Sequence, residues 1–202
     1  MRIFSYVVAR DFGFAPNPFY GVCTLATCKP VIRSVAAVGD WVIGTGSRTM
    51  SREGRLVYCM RITETMSFNQ YWSDERFELK RPNLRGSMKQ AFGDNIYSTD
   101  SIGQWGQLNS HHSYADGSPN QHNVIHDTKT DRVLLGSDFA YWGGEGPVIP
   151  TRFRDYDGHD ICAGRNHRSR FPESMVRDFV AWLRSLDASG YISSPLDWPS
   201  TA

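Results

Sequence analysis

The side chains best suited to proton transfer gather in one stretch. His111, His112, His122, His126, Asp127 and Asp138 lie within thirty residues. A histidine near an aspartate can act as a general base, or as a metal ligand oriented by the carboxylate. The spacing matches no strong metal signature. Val124-Ile125, between His122 and His126, predicts extended chain, which denies those two rings a common helix face. Cys23 and Cys28 have four residues between them, a spacing permissible for half of a zinc site, yet no second tight Cys/His pair completes it. Structural thiols are therefore expected, and no metal is. If the protein is an enzyme, His112, Asp94 and Lys29 are its acid-base candidates and Cys28 a candidate nucleophile. Serine and cysteine hydrolase motifs, dinucleotide fingerprints and kinase motifs are absent.

A second set of residues suits recognition of a flat heterocycle. Every base has a π face, and stacking on an aromatic ring is worth about 1–3 kcal/mol. Phe14, Trp41, Tyr71, Trp72 and Tyr97 can supply such rings; Asn17, Thr24, Thr45, Ser47 and Asn95 can hydrogen-bond a base edge. Each has a plainer alternative: rings pack cores, Asp94-Asn95 can be a hydrogen-bonded turn, and Gly44-Thr45-Gly46-Ser47 can be a hairpin exit. That glycine-rich run lacks the lysine and following helix of a P-loop. Cationic side chains form two groups, Arg76 to Lys89, which includes Lys80, and Arg152 to Arg170. In the second, Arg165 and His167 sit among aspartates. Phosphate binding is the functional reading of Lys80, Arg165 and His167; solvated surface is the alternative.

The elements that must position these groups are those of a mainly β chain. Arg55 to Glu64 alternates as a strand, and Trp41 to Gly46 is expected to pair with it as a hairpin. Ile3–Ala9 and 22–28 are further strands, with a Pro- and Gly-rich loop from Asp11 to Gly21. Ser67 is a suitable N-cap for a short helix over Phe68–Phe77. Residues 98–122 show little periodicity. One amphipathic helix is expected from about 172 to 186, its stripe formed by Met175, Val176, Phe179, Trp182, Leu183 and Leu186. The tail, 190–202, is expected to be ordered only in part.

The chain has 202 residues, 40% of them hydrophobic, with 22 Lys+Arg against 21 Asp+Glu. It can bury a core without staples, and it carries no global basic coat for nucleic acid. Its longest apolar runs are five residues, Leu56–Met60 and Phe179–Leu183, whereas a membrane helix needs about 20. The N-terminal stretch meets Asp11 too early for a signal peptide, so a cytoplasmic protein without membrane contact is expected. One domain over 1–202 is expected, of class α+β: a curled, mainly antiparallel sheet or a small PUA-like barrel with a C-terminal helix.

Several runs occur together and in order: FGFAPNPFYGVCTLATCKPVIR, VGDWVIGTGS, YWSDERFELKRP, GDNIY, HHS, FAYWGG and AGRNHR. With them the chain resembles the nucleotide modification associated domain, second type, a bacterial and phage family linked to modified nucleobases. The resemblance spans nearly the whole chain and singles out His112, Arg165 and His167 on its motifs. It implies a modified nucleotide or DNA as ligand, and a protein partner from the same operon in a modification or defence system. It supplies neither a reaction nor a cofactor. Residues 28–80 are more loosely similar to PUA-like barrels of the EVE and YTH group, which hold a modified base in an aromatic cage. Binding of a modified nucleobase is the first functional expectation. An enzyme that installs, alters or removes a base modification, or a protein-interaction module, is the alternative.

Overall fold

The computed structural model describes residues 1–199. In chain order its strands are β1 (Ile3–Val8), β2 (Cys23–Leu25), β3 (Trp41–Gly46), β4 (Leu56–Arg61), β5 (Glu64–Met66), β6 (Tyr97–Thr99), β7 (Trp105–Gln107), β8 (Val133–Gly136), β9 (Asp138–Tyr141), β10 (His167–Arg168) and β11 (Gly190–Tyr191). Its α-helices are α1 (Pro30–Val35), α2 (Phe68–Ser73), α3 (Met88–Ala91), α4 (Gln121–Asp127) and α5 (Glu173–Ser185). The chain clusters into two compact units, each assembled from separate stretches. The first takes 1–11, 36–63 and 136 onward; the second takes 12–35 and 64–135.

The first unit is built on a six-stranded sheet in the order β10-β1-β3-β4-β9-β11. Strands β1 and β3 run parallel, as do β9 and β11, and the other pairings are antiparallel. The expected hairpin is present: Trp41 faces Arg61 and Ile43 faces Cys59, with a register shift between Gly44 and Thr45. Gly44 and Gly46 permit that irregularity. A Cβ on Gly46 would lie 2.2 Å from the Arg52 carbonyl oxygen. Helix α5 buries Met175, Val176, Phe179 and Leu183 in a core with Ile3, Trp41, Ile43 and Phe153. Of the tail, Gly190–Tyr191 pairs with β9, while 200–202 lie outside the described residues.

The second unit holds a three-stranded sheet, β2-β8-β5, and a two-stranded one, β6-β7. Its core gathers Phe14, Phe68, Tyr71, Phe77, Ile96, Tyr97, Val133 and Leu135. Ser67 caps α2 as expected, in a capping box with Gln70, and the chain then tightens into a 3-10 turn over Glu75–Lys80.

The class is α+β with mostly antiparallel sheets. The barrel alternative does not hold among the described residues: the six-stranded sheet is open, bounded by two-residue edge strands β10 and β11. Two local expectations are also corrected. The aperiodic stretch after 98 contains the β6-β7 hairpin. Val124-Ile125, read as extended, lie within α4, because the Asn120 side chain accepts from the backbone N–H groups of His122 and Asn123 and starts a helix. Val124 then faces the core, and Ile125, its β-branched neighbour, faces solvent.

Candidate active site

Within the second unit, Cys28, His112 and Asp127 form a linked row. The Cys28 Sγ lies 3.7 Å from His112 Nε2, and His112 Nδ1 lies 2.8 Å from Asp127 Oδ2. A carboxylate can only accept, so Nδ1 carries a proton and Nε2 is the nitrogen turned to sulfur. The order thiol, imidazole, carboxylate is that of a nucleophile, its proton acceptor and the group that orients the acceptor.

Local structure explains how three distant stretches meet. Cys28 lies just beyond β2, and both it and Lys29 adopt left-handed backbone conformations, with φ of 57° and 42°. Non-glycine residues held there cost of order 1–3 kcal/mol each, and such strain collects at functional sites. Helix α1 follows at once, and its Arg33 holds the strained turn from behind. Arg33 is fully buried. Its Nε donates to the Cys28 carbonyl at 2.8 Å, NH1 donates to that of Arg132 at 2.7 Å, and NH2 donates to that of Asp127. One guanidinium thus fastens the backbones of nucleophile and acid together. Burial lowers its pKa to about 10, against the pull of Asp127, so it stays charged at neutral pH. His112 sits on a turn of its own: its N–H donates to Ser110 Oγ, and its carbonyl accepts from Asn123 Nδ2 at 2.8 Å.

Asp127 closes α4 and is wholly buried. Its Oδ1 accepts from the Cys28 N–H at 2.7 Å and from His126 Nδ1 at 3.2 Å; its Oδ2 accepts from His112 and from the Tyr97 hydroxyl at 2.9 Å. Burial alone would raise its pKa, but the bonds from His112, Cys28 N–H and Tyr97, with the His112 charge, hold it below the ordinary carboxylate value. Burial would likewise strip His112 of its proton. The bonds to Asp127 and Cys28 outweigh that and raise it to about 9, so at neutral pH the imidazolium stands beside the thiol. Burial and the Asp127 charge push the Tyr97 hydroxyl well up, keeping it a donor. Gln107 Nε2 donates in turn to the Tyr97 hydroxyl at 3.0 Å.

Sulfur, imidazole nitrogen and carboxylate oxygen lie within 4.8 Å of one another, a make-up that also suits a metal ion. The bond directions favour the triad. Cys28 and Asp127 meet opposite nitrogens of one ring, so an ion held by all three would have to displace the His112–Asp127 hydrogen bond.

The other expected site residues fall into distinct places. Phe14 packs on the row, its ring centroid 4.6 Å from that of His112, and Tyr97 is bound to Asp127. Lys29 adjoins Cys28, and burial lowers its pKa. Asn17, Thr24, Tyr71, Lys80 and Asp94 form a separate interior network. Lys80 Nζ donates to Asn17 O, Asn17 Oδ1 and Thr24 Oγ1 at 3.0, 2.6 and 3.1 Å, while Thr24 and Tyr71 each donate to Asp94 at 2.7 Å. Lys80 has no exposure, and its three N–H donors are spent on these partners rather than turned to a phosphate. Asn95 Nδ2 donates to the backbone carbonyls of Tyr71 and Phe77. The Arg81 guanidinium stacks 4.6 Å from the centre of the Trp72 ring.

In the first unit, Trp41 is 2% exposed and packs in the core. Thr45 and Ser47 line a cleft described below. Arg165 is exposed and His167 half-buried in β10. Asp127, Arg33 and Gln107 belong to the candidate site without having been assigned to it from sequence. The available signal for Asp127 was its place beside His126 in the His/Asp stretch; Arg33 and Gln107 carry none.

Comparison with known proteins yields one family model. The model described as Nucleotide modification associated domain 2 matches residues 1–202. Neither the curated proteins nor the solved structures contain a match.

Proposed function

Because the chain belongs to the nucleotide modification associated domain 2 family, we propose that it is an enzyme acting on a nucleotide or on a base in DNA through covalent catalysis by Cys28. The observation that carries this reading is the row Cys28 Sγ, His112, Asp127 Oδ2 at 3.7 and 2.8 Å. Binding of a modified base is then a step of the reaction.

The chemistry follows from the proton positions. In the reacting form a Cys28 thiolate pairs with the His112 imidazolium, whose Nε2–H faces sulfur and whose Nδ1–H is held by Asp127. The thiolate attacks an electrophilic carbon of the substrate and a S–C bond forms. The displaced electron pair moves onto the adjoining oxygen or nitrogen, which takes the Nε2 proton. Water or a second substrate then attacks the carbon and gives its proton to Nε2; the S–C bond breaks and the thiolate–imidazolium pair is restored. Phe14, packed on the imidazole, helps to hold the ring in the plane that both transfers need. Asp94, fully buried against Lys80, Thr24 and Tyr71, serves structure in this reading.

The test is thiol labelling of the native protein with iodoacetamide at pH 7, read by peptide mass. Cys28 should label first. Burial pushes Cys59 up to about 12 and Cys162 up to about 11, and Cys23 is fully buried. His112→Gln should slow labelling at Cys28 about tenfold or more, by removing the cation beside sulfur. Equal rates in the two proteins would overturn the reading. One equivalent of tightly bound zinc in the native protein, lost with His112→Gln, would replace it with a metal site.

A further inference from the structure

The first unit carries a cleft that the Cys28 chemistry does not use. It has a volume of about 510 Å³, within the roughly 300–1,000 Å³ typical of small-molecule sites. The end of β3, Thr45-Gly46, and Ser47 form one side; Arg154, Asp160 and Arg168 form the other.

Asp160 organises the cationic side. Its Oδ1 and Oδ2 accept from Arg154 Nε and NH2 at 2.9 and 3.2 Å, and its Oδ1 also accepts from the Cys162 N–H. Its backbone carbonyl accepts from Arg168 NH1 at 3.0 Å. Two guanidinium groups are thereby held in place by one residue. Arg154 NH1, and Nε and NH2 of Arg168, take no part in those bonds. Gly54 lets Arg154 close over the backbone: its φ is +75°, and a Cβ there would lie 2.8 Å from Arg154 NH1. The lining carries three arginines, with Arg48, against two acids, Glu53 and Asp160. Arg165 follows directly on Gly164 of the wall.

Among the described residues no aromatic side chain lines the cleft, and none of them gives a base a ring to stack on. Arg48 is paired with Glu53 and the Arg154 fork with Asp160, so what the cleft offers is the Nε–NH2 fork of Arg168, NH1 of Arg154, the hydroxyl-bearing residues Thr45, Ser47 and Thr49, and glycine backbone. Guanidinium forks match phosphate oxygens, and hydroxyls and backbone amides match sugar hydroxyls. We propose that this cleft is a second ligand site, for the sugar-phosphate portion of a free nucleotide, and that it is indifferent to the base. Fixing the arginines before the ligand arrives reduces the ordering cost of binding.

Calorimetric titration of the full chain tests this with dAMP, dCMP, dGMP, dTMP, ribose 5-phosphate, inorganic phosphate and thymidine. The four nucleotides and ribose 5-phosphate should bind with affinities within about threefold of one another, and thymidine should not bind. Arg168→Gln should weaken all five about tenfold, the scale of one lost charge-assisted bond. Arg168 is exposed, so this variant should fold normally; Arg154→Gln, at the more buried fork, should weaken them further. No binding, a marked preference for one base, affinities unmoved by Arg168→Gln, or inorganic phosphate binding as well as the nucleotides would each overturn the proposal. None of these readings depends on the reactivity of Cys28.

Discussion

Two polar clusters of the second unit contain nearly the same parts. One has Asp94, a tyrosine donating to it (Tyr71), a cation (Lys80) and the buried Cys23 close by. The other has Asp127, a tyrosine donating to it (Tyr97), a cation (His112) and Cys28. They differ in closure. In the first, Lys80, Asp94, Thr24, Asn17 and Tyr71 are all buried, and Lys80, Thr24 and Tyr71 donate to acceptors within the cluster. In the second, the acid is buried, but the imidazole keeps 15% side-chain exposure and the thiol is half-buried on a strained turn. A saturated network stores no reactivity and specifies a core. A network that ends on a reachable thiol can do chemistry. The same residue types therefore read as structure or as catalysis according to what the last member faces.

The largest effect that separates them should come from Lys80→Met. It strips the cation from Asp94 and leaves an uncompensated buried charge, so unfolding free energy should fall by about 3–5 kcal/mol in denaturant titration. Cys28 labelling per folded molecule should be unchanged. A Lys80 variant with native stability, or with slowed labelling, would show that the two clusters are not separable. Arg33→Met comes next. It leaves the carbonyls of Cys28, Asp127 and Arg132 without their donor and should cost about 2–4 kcal/mol. Unlike Lys80→Met it should also slow Cys28 labelling, because the strained turn loses its tie to Asp127. Destabilisation with unaltered labelling would assign Arg33 to folding alone.

The ease of reading each part from sequence tracks how local its cause is. The β3-β4 hairpin and α5 follow from patterns within one segment: alternation about Leu56, Tyr58 and Met60, and a stripe through Met175, Val176, Phe179 and Leu183. The Ser67 cap is likewise local. Helix α4 was missed because Val124-Ile125 argues for strand, whereas the Asn120 cap decides. The candidate site was half legible. Cys28 and His112 were each named as candidates, yet their union depends on a carboxylate fifteen positions beyond the histidine and on a guanidinium whose acceptors are all backbone carbonyls. Neither tie leaves a mark in residue spacing. Asn17, Thr24, Tyr71 and Lys80 illustrate the converse. Their types suit a ligand, and only burial reveals that they serve one another.

Asp127→Asn should cost about 2 kcal/mol, the loss of charge-assisted bonds from His112 and Tyr97. Its distinguishing mark is the imidazole. Without the carboxylate, His112 loses the partner that outweighs burial, and its pKa should fall from about 9 toward or below the ordinary value. Histidine NMR titration reads this directly. Asp94→Asn, the counterpart in the closed cluster, should leave the His112 titration where it is. A His112 titration that does not move in Asp127→Asn would remove the carboxylate from the row.

The smallest effect is in the pH dependence of stability. The folded His112 titrates near 9, above its ordinary value of 6.5. The stability it contributes is therefore fully present below about pH 6.5 and is lost as pH rises through 9. Lys80 works in the opposite sense: burial depresses it to about 8, so the folded state gains relative stability as pH rises above that value. The two contributions overlap, and a single melting curve cannot assign them. The difference between the native protein and His112→Gln can, because Lys80 is common to both. That difference in melting temperature should be largest at pH 6 and shrink steadily as pH rises through 9. A difference that is flat across this range would mean that His112 carries only its Nδ1 proton in the folded state, and that the sulfur faces a neutral imidazole.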